Sequence, residues 1–121
     1  MSNATELAER YIAIWNETDA GRRRALISKT WTEDASYIDP MMRSSGHDGI
    51  DAMIAGVQGK YPGLKFSLAG KVDTHNDCLR FQWDLGPAGG AALAKGTDFA
   101  VVSGERLKSV TGFIDMMPGQ S

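Results

Sequence analysis

Residues 35–40 read ASYIDP, a short β-like run that ends in the pair Asp39-Pro40. Proline has no N–H to donate to a strand ladder, so the strand should end there and pass into the Met-rich loop 41–46. Asp39 therefore lies at a strand exit among aromatic and methionine side chains. A carboxylate in apolar company has its charged form disfavoured, which suits it to proton transfer. With Tyr11 and Asp98, this run predicts a small pocket for a hydrophobic molecule.

Helical patterns lie on both sides of this run. Apolar residues recur at helical spacing over 5–16, and Asp19 can cap a second helix that runs to about Trp31. A third helix should begin near Asp48 and Asp51 and end at Tyr61-Pro62-Gly63. The short strand is thus expected between the second and third helices.

After Gly63 the period of the apolar residues changes from 3.6 to 2. Alternation over 66–73 and 79–85, with a turn at Asn76-Asp77, predicts a hairpin. Two more strands are expected at 97–102 and 107–116. Three helices and a mostly antiparallel sheet predict an α+β fold of one domain over residues 1–121, with the helices covering one face of a bent sheet.

Composition narrows the class of protein. The chain has 121 residues, of which 42% are hydrophobic and 23% charged, as in ordinary soluble domains. The net charge of −2 argues against nucleic-acid binding. No apolar run is long enough to cross a membrane, and the N-terminal residues do not resemble a signal peptide. A single cysteine, Cys78, cannot form an internal disulfide, so we expect a cytoplasmic protein.

The order of elements and several short motifs resemble the nuclear transport factor 2 superfamily, in particular its SnoaL-like group and the related ketosteroid isomerases. The matching stretches cover most of residues 7–115 and are Arg10-Tyr11-Ile12, Trp31, Asp34-Ala35, Tyr37-Ile38-Asp39-Pro40, Gly46, Gly96-Thr97-Asp98, Arg106-Leu107 and Gly112-Phe113. This resemblance implies a cystatin-like, cone-shaped roll with three N-terminal helices packed on a curved sheet. It fixes no activity, because one fold carries many functions.

The resemblance implies roles for four residues. Asp39 would be the base that moves a proton beside a carbonyl, and Tyr11 would donate a hydrogen bond to the oxygen that becomes negative. Asp98 would be a second, protonated donor, although a slip of one residue would put Thr97 in its place. His47 could relay protons at the pocket rim. The alternatives are that Asp39 caps a turn and that Tyr11 is a core residue.

A flat apolar ligand would suit the aromatic and methionine side chains near these positions. The predicted substrate-binding residues are Trp15, Trp31, Tyr37, Met41, Met42, Phe66, Trp83 and Phe113, although most of the aromatic ones could equally be core. The two histidines lack metal-ligand spacing, and no nucleotide-binding glycine motif is present, so we expect neither metal nor cofactor. The run Arg22-Arg23-Arg24 is interpreted as a solvated helix face.

Three functions fit this sequence. The first is a cofactor-free isomerase or cyclase that transfers a proton alpha to a carbonyl, with Asp39 as base and Tyr11 and Asp98 as donors. The second is a binding or sensing module that uses the same pocket without chemistry. The third is an interaction scaffold, since superfamily members often dimerise through the sheet. Exposed apolar residues of the late strands, such as Phe99 and Val101 or Val110 and Ile114, could form such a homodimer interface.

Overall fold

The computed structural model describes residues 4–117 and shows three helices on one six-stranded mixed sheet. The ends of the predicted domain, 1–3 and 118–121, lie outside the described residues. The elements are α1 Ala4–Asn16, α2 Ala20–Thr30, β1 Trp31–Ile38, β2 Arg43–Ser45, α3 Gly46–Lys60, β3 Leu64–His75, β4 Cys78–Pro87, β5 Ala94–Ser103 and β6 Arg106–Met116. The predicted order of two helices, a strand, a third helix and four long strands is present, with one additional strand, β2.

The strands lie in the order β2-β1-β6-β5-β4-β3. Neighbouring strands are antiparallel except β1 and β6, which run parallel, so the sheet is mostly antiparallel, as predicted. The parallel pair brings the exit of β1, and with it Asp39, beside the inner face of β6. Helix α1 packs against β3 and α3 against β1, and the apolar core fills the space between helices and sheet.

Local chemistry explains the start of α2 and the end of α3. The Asp19 side chain accepts a hydrogen bond from the Arg22 backbone N–H at 2.9 Å and so caps α2. On α1, Leu7, Tyr11 and Ile14 are buried on one side, as their spacing predicts. Helix α3 ends at Lys60, before the residue that precedes Pro62.

The structure corrects two boundaries. The second helix ends at Thr30, next to the predicted end at about Trp31, but β1 begins at Trp31 rather than at Ala35. Trp31 is fully buried, and its backbone pairs with Leu107 of β6. Part of the predicted loop 41–46 forms β2, which pairs with β1 between Ser36–Ile38 and Arg43–Ser45. Both features depend on a partner strand, which helical or turn signals in the local sequence do not report.

The arginine run on α2 is only partly a solvated face. Arg23 is 5% exposed, and its Nε donates to Asp51 Oδ1 at 2.6 Å. Its Nη1 donates to the Gln58 side chain and the Glu17 carbonyl. The solvated-face interpretation is therefore wrong for Arg23, which ties α2 to α3 and to the end of α1. Among residues 4–117, no helix is long and apolar enough to span a membrane.

On the face toward the helices, β5 carries small residues and Asp98, and β6 has Gly112 between the larger Val110 and Ile114. Gly96, Asp98 and Gly112 are buried on the inner face, whereas Phe99 and Phe113 are exposed. Val110 is buried and Ile114 lines the internal cavity, so the suggestion that these two form an exposed interface is wrong. The small residues leave room above the sheet for aromatic side chains and a hollow.

Candidate active site

An apolar cavity lies between α1, the end of α3 and the inner face of the sheet. The cavity and its open mouth together hold about 720 Å³ not filled by protein atoms. The sheet side is contributed mainly by β3, β4 and β5, and the loop after β1 closes one edge. The lining residues are Tyr11, Ile12, Trp15, Tyr37, Asp39, Met41, Met42, Val57, Tyr61, Leu64, Phe66, Trp83, Leu85, Leu93, Ala94, Asp98, Ile114 and Met117.

Asp98 lies in the buried wall of this cavity and accepts two hydrogen bonds. The Tyr11 hydroxyl donates to Asp98 Oδ2 at 2.8 Å, and the Trp83 indole N–H donates to Oδ1 at 3.1 Å. Asp98 faces inward because it pairs with Phe81 on one side and with Gly112 on the other, both on the inner face. Thr97 faces outward and donates to Asp115 Oδ2 at 2.7 Å. The register therefore places Asp98, not Thr97, at the cavity.

Burial dominates the acid–base properties of this group. Loss of solvent raises the pKa of Asp98 from 3.8 to about 6, while the hydrogen bonds from Tyr11 and Trp83 oppose the rise and the charge of Asp39 adds to it. Burial, followed by the nearby Asp98 carboxylate, raises the pKa of Tyr11 well above 10. Tyr11 is thus a neutral hydroxyl, and Asp98 can exchange a proton near neutral pH.

Asp39 is half-buried, caps the loop after β1 as the alternative interpretation predicted, and also lines the cavity. Its Oδ1 accepts the backbone N–H groups of Met41 at 2.8 Å and Met42 at 3.0 Å, so it caps the loop. Its Oδ2 accepts the Tyr37 hydroxyl at 2.7 Å, and the residue also lines the cavity. Burial raises the pKa of Tyr37, with smaller contributions from Asp98 and Asp39, so Tyr37 is likewise a neutral donor.

Trp15 brings an unpaired donor to the cavity wall. Its side chain is 6% exposed and packs against Tyr37 and Phe66, with ring centroids 5.7 and 5.4 Å away. The indole N–H is buried and makes no hydrogen bond within residues 4–117, and the same holds for Trp31. The Trp15 N–H nevertheless acts on the Tyr11 hydroxyl, whose pKa it lowers against the larger effect of burial.

Most of the predicted site residues meet at this cavity. Tyr11, Asp39 and Asp98 line it, together with Trp15, Tyr37, Met41, Met42, Phe66 and Trp83. Three residues are not brought there. Trp31 is in the core, and Phe113 is 56% exposed on the outer face of the sheet. His47 Nε2 lies 3.0 Å from the Trp31 carbonyl oxygen and 3.1 Å from that of Thr32, so it contacts the start of β1.

Sequence reasoning missed the apolar residues that complete the cavity. They lie on the inner faces of the predicted helices and strands, or in connections, and include Ile12, Val57, Tyr61, Leu64, Leu85, Leu93, Ala94, Ile114 and Met117. The alternation of β4 already placed Leu85 on the same face as Trp83. Nothing in the sequence distinguishes an apolar residue such as Leu85 that lines a cavity from one that packs in the core. Within the described part of the chain, no group of three or more His, Cys, Asp or Glu side chains could hold a metal ion.

A solved structure with high sequence identity shows the family of this chain. A candidate isomerase of the SnoaL-like family from Agrobacterium tumefaciens strain C58 is 42% identical, with a TM-score of 0.87, over 92% of this chain and 96% of that one. The chain belongs to the SnoaL-like family. No protein-family model matches it, and no curated protein is similar to it in sequence.

More distant solved structures share the fold of this SnoaL-like protein. A candidate ketosteroid isomerase from Kribbella flavida is 19% identical, with a TM-score of 0.71, over 98% of this chain and 82% of that one. A candidate SnoaL-like polyketide cyclase from Jannaschia sp. CCS1 is 16% identical, with a TM-score of 0.70, over 92% and 86%. At these identities the likeness supports only the architecture.

Proposed function

We propose that this SnoaL-like protein is a cofactor-free isomerase or cyclase that moves a proton alpha to the carbonyl of a hydrophobic substrate. The observation that carries the proposal is the placement of Asp39 and the Tyr11–Asp98 pair on one apolar cavity. A base and a set of oxyanion donors are the two parts that such a proton transfer needs. The 42% identical candidate isomerase supports the same class of reaction.

Asp39 would act as the base through Oδ2. A carboxylate has about four lone-pair positions, and both on Oδ1 are taken by the N–H groups of Met41 and Met42. Oδ2 accepts only the Tyr37 hydroxyl and keeps one lone pair. That oxygen would take the proton from the carbon beside the carbonyl. It would return the proton to another carbon of the same molecule, which completes an isomerisation.

Tyr11 and Asp98 would stabilise the enolate oxygen formed in this step. The single Tyr11 O–H is donated to Asp98 Oδ2 while Asp98 is charged. When Asp98 is protonated on Oδ2, that oxygen becomes a donor, so its O–H and the O–H of the neutral Tyr11 would both turn to the substrate oxygen. A neutral aspartic acid that donates to an oxyanion is known from ketosteroid isomerase, and the same chemistry would apply here.

Hydrogen–deuterium exchange would test this proposal without knowledge of the product. The protein is incubated in D₂O with a panel of hydrophobic ketones, and deuterium uptake at the alpha carbon is followed by mass spectrometry. We expect catalysed uptake, reduced about 10²–10³-fold by Tyr11→Phe. Asp39→Asn should abolish it while keeping an amide oxygen for the loop N–H groups. Full exchange in Asp39→Asn would show that Asp39 is not the base.

A passive binding module is the second candidate, because Asp39 already serves as a cap for the loop after β1. The three hydrogen bonds that Asp39 accepts from Tyr37, Met41 and Met42 explain an aspartate at this position without any catalytic role. This function predicts that apolar carbonyl compounds raise the melting temperature of the protein and are recovered unchanged, with no deuterium uptake. The exchange experiment therefore separates the two candidates.

A further inference from the structure

Gly112 occupies the point of β6 at which both carboxylates of the cavity approach the backbone. It pairs directly with Asp98 across β5 and β6 and is buried. A Cβ at position 112 would lie 2.9 Å from Asp98 Oδ1, 3.2 Å from Asp39 Cβ and 3.3 Å from the Tyr37 hydroxyl. The backbone φ of Gly112 is not in the left-handed region, so backbone strain does not explain the glycine.

Gly96, the neighbouring glycine on β5, leaves room for Trp83 in the same way. A Cβ there would overlap the Trp83 indole ring and lie 2.6 Å from the Phe113 carbonyl oxygen. Trp83 pairs with Gly96 across β4 and β5, and its N–H reaches Asp98 Oδ1 from this position. Glycine inside a strand weakens packing and commonly marks a close approach to the backbone. Here the two glycines lie on either side of the Asp98 carboxylate.

We propose that Gly112 is a positioning residue of the site: its missing side chain lets the Asp98 carboxylate accept the Trp83 N–H while lying beside Asp39 and Tyr37. A methyl group at 112 would displace Asp98 Oδ1, the oxygen that accepts this bond. Gly96 supports the same bond from the Trp83 side. The inference rests on the proposed function in one respect, which is that the cavity is the functional site. The position of Asp98 is the same whether the cavity catalyses a reaction or only binds a ligand.

The test is Gly112→Ala, read by NMR of the indole N–H signals of the three tryptophans, with Trp83 assigned from Trp83→Phe. The groups facing Asp98 are Tyr11, Tyr37, Asp39 and Trp83, and the Trp83 signal should follow the titration of Asp98. Loss of the Trp83 bond removes a donor that favours the charged carboxylate. We therefore expect the Asp98 titration to move up by about 1 pH unit and the Trp83 signal to shift. Gly56→Ala, with open space around its Cβ on α3, is the control that should change neither.

A double variant keeps the inference testable if Gly112→Ala unfolds. In the Asp98→Ala background the displaced oxygen is absent, so most of the loss in melting temperature caused by Gly112→Ala should disappear. A penalty as large in this background as in the wild type, or an Asp98 titration unchanged by Gly112→Ala, would overturn the inference, because contacts of the methyl group with Asp39 and Tyr37 account for only a small remaining loss. No substrate enters either measurement, so failure here is distinct from failure of the exchange experiment.

Discussion

Asp98 is a buried acid, and burial makes its charged form less stable than in water. Burial raises its pKa from 3.8 to about 6, although Tyr11 and Trp83 both donate to it. Between these pH values, the folded protein keeps a proton that the unfolded chain has released. The free energy of unfolding therefore falls as pH rises through this window, by about 3 kcal/mol from this group alone.

Asp98→Asn should remove this pH dependence, because the amide does not titrate. The stability of the wild type relative to the variant should fall by about 2 kcal/mol between pH 4 and pH 7, most of the full effect of this group. Groups distant from Asp98 cancel in the difference, and Tyr11 and Tyr37 do not titrate in this range. Urea unfolding at several pH values provides the measurement. Parallel stability profiles for the two proteins would contradict the assignment.

Asp39 has a structural role that can be separated from its proposed catalytic one. Asp39→Ala removes the acceptor for the Met41 and Met42 N–H groups and for the Tyr37 hydroxyl. We expect a loss of about 2 kcal/mol. Asp39→Asn keeps an oxygen for the loop and should cost less than about 1 kcal/mol. Chemical denaturation measures both variants, and equal losses would show that the loop bonds do not stabilise the fold.

At the level of the elements, the buried Arg23 links α2 to α3 and to the residue after α1. Arg23 of α2 pairs with Asp51 of α3 at 2.6 Å and also donates to Gln58 and to the Glu17 carbonyl. This cluster fixes α2 and α3 at the end of α1 that also supplies Trp15 to the cavity. Arg22, the preceding residue, has the same side chain and lies on the same helix, but it is exposed.

Arg23→Ala should therefore destabilise the protein by about 3 kcal/mol, because it leaves Asp51 without its closest partner in a largely buried position. The matched variant Arg22→Ala should change stability by less than about 0.5 kcal/mol. Thermal unfolding of both proteins gives the comparison. Similar effects for the two would mean that the Arg23 cluster contributes no more than a surface charge.

On the scale of the whole molecule, the outer face of the sheet is the unexplained surface. Ile38, Phe99 and Phe113 are 38%, 39% and 56% exposed, and strand pairing places them on neighbouring strands. Scattered apolar residues are normal on a surface, but adjacent ones on a sheet favour a partner. The homodimer expected from the family resemblance would bury these residues, and it stays a prediction.

Phe113→Glu tests this homodimer, because a charge at the centre of a symmetric interface meets its own copy. Light scattering should give a dimer for the wild type and a monomer for the variant. Lys29→Glu on α2 changes the charge on another element and should leave the dimer intact. A wild-type protein that is monomeric at micromolar concentration would rule out the interface. The cavity proposals would stand in either case.

The sequence alone determined the order and type of most elements. Helical spacing on 5–16 and alternation through Leu79, Phe81 and Trp83 each reflect one buried face, so the pattern of a single segment is enough. Asp39 could likewise be placed at a strand exit, because Pro40 ends the ladder locally. These are properties that neighbouring residues impose on one another.

Only the tertiary structure decided which residues meet. The parallel pairing of β1 with β6 joins segments about 70 residues apart, and it converts Trp31 into a strand residue. On β5, Asp98 faces inward and Phe99 outward, opposite to the order that hydrophobicity favours. Period-2 alternation in the sequence assigns residues to the two faces of a strand but does not show which face is buried. Register with Phe81 and Gly112 made that choice.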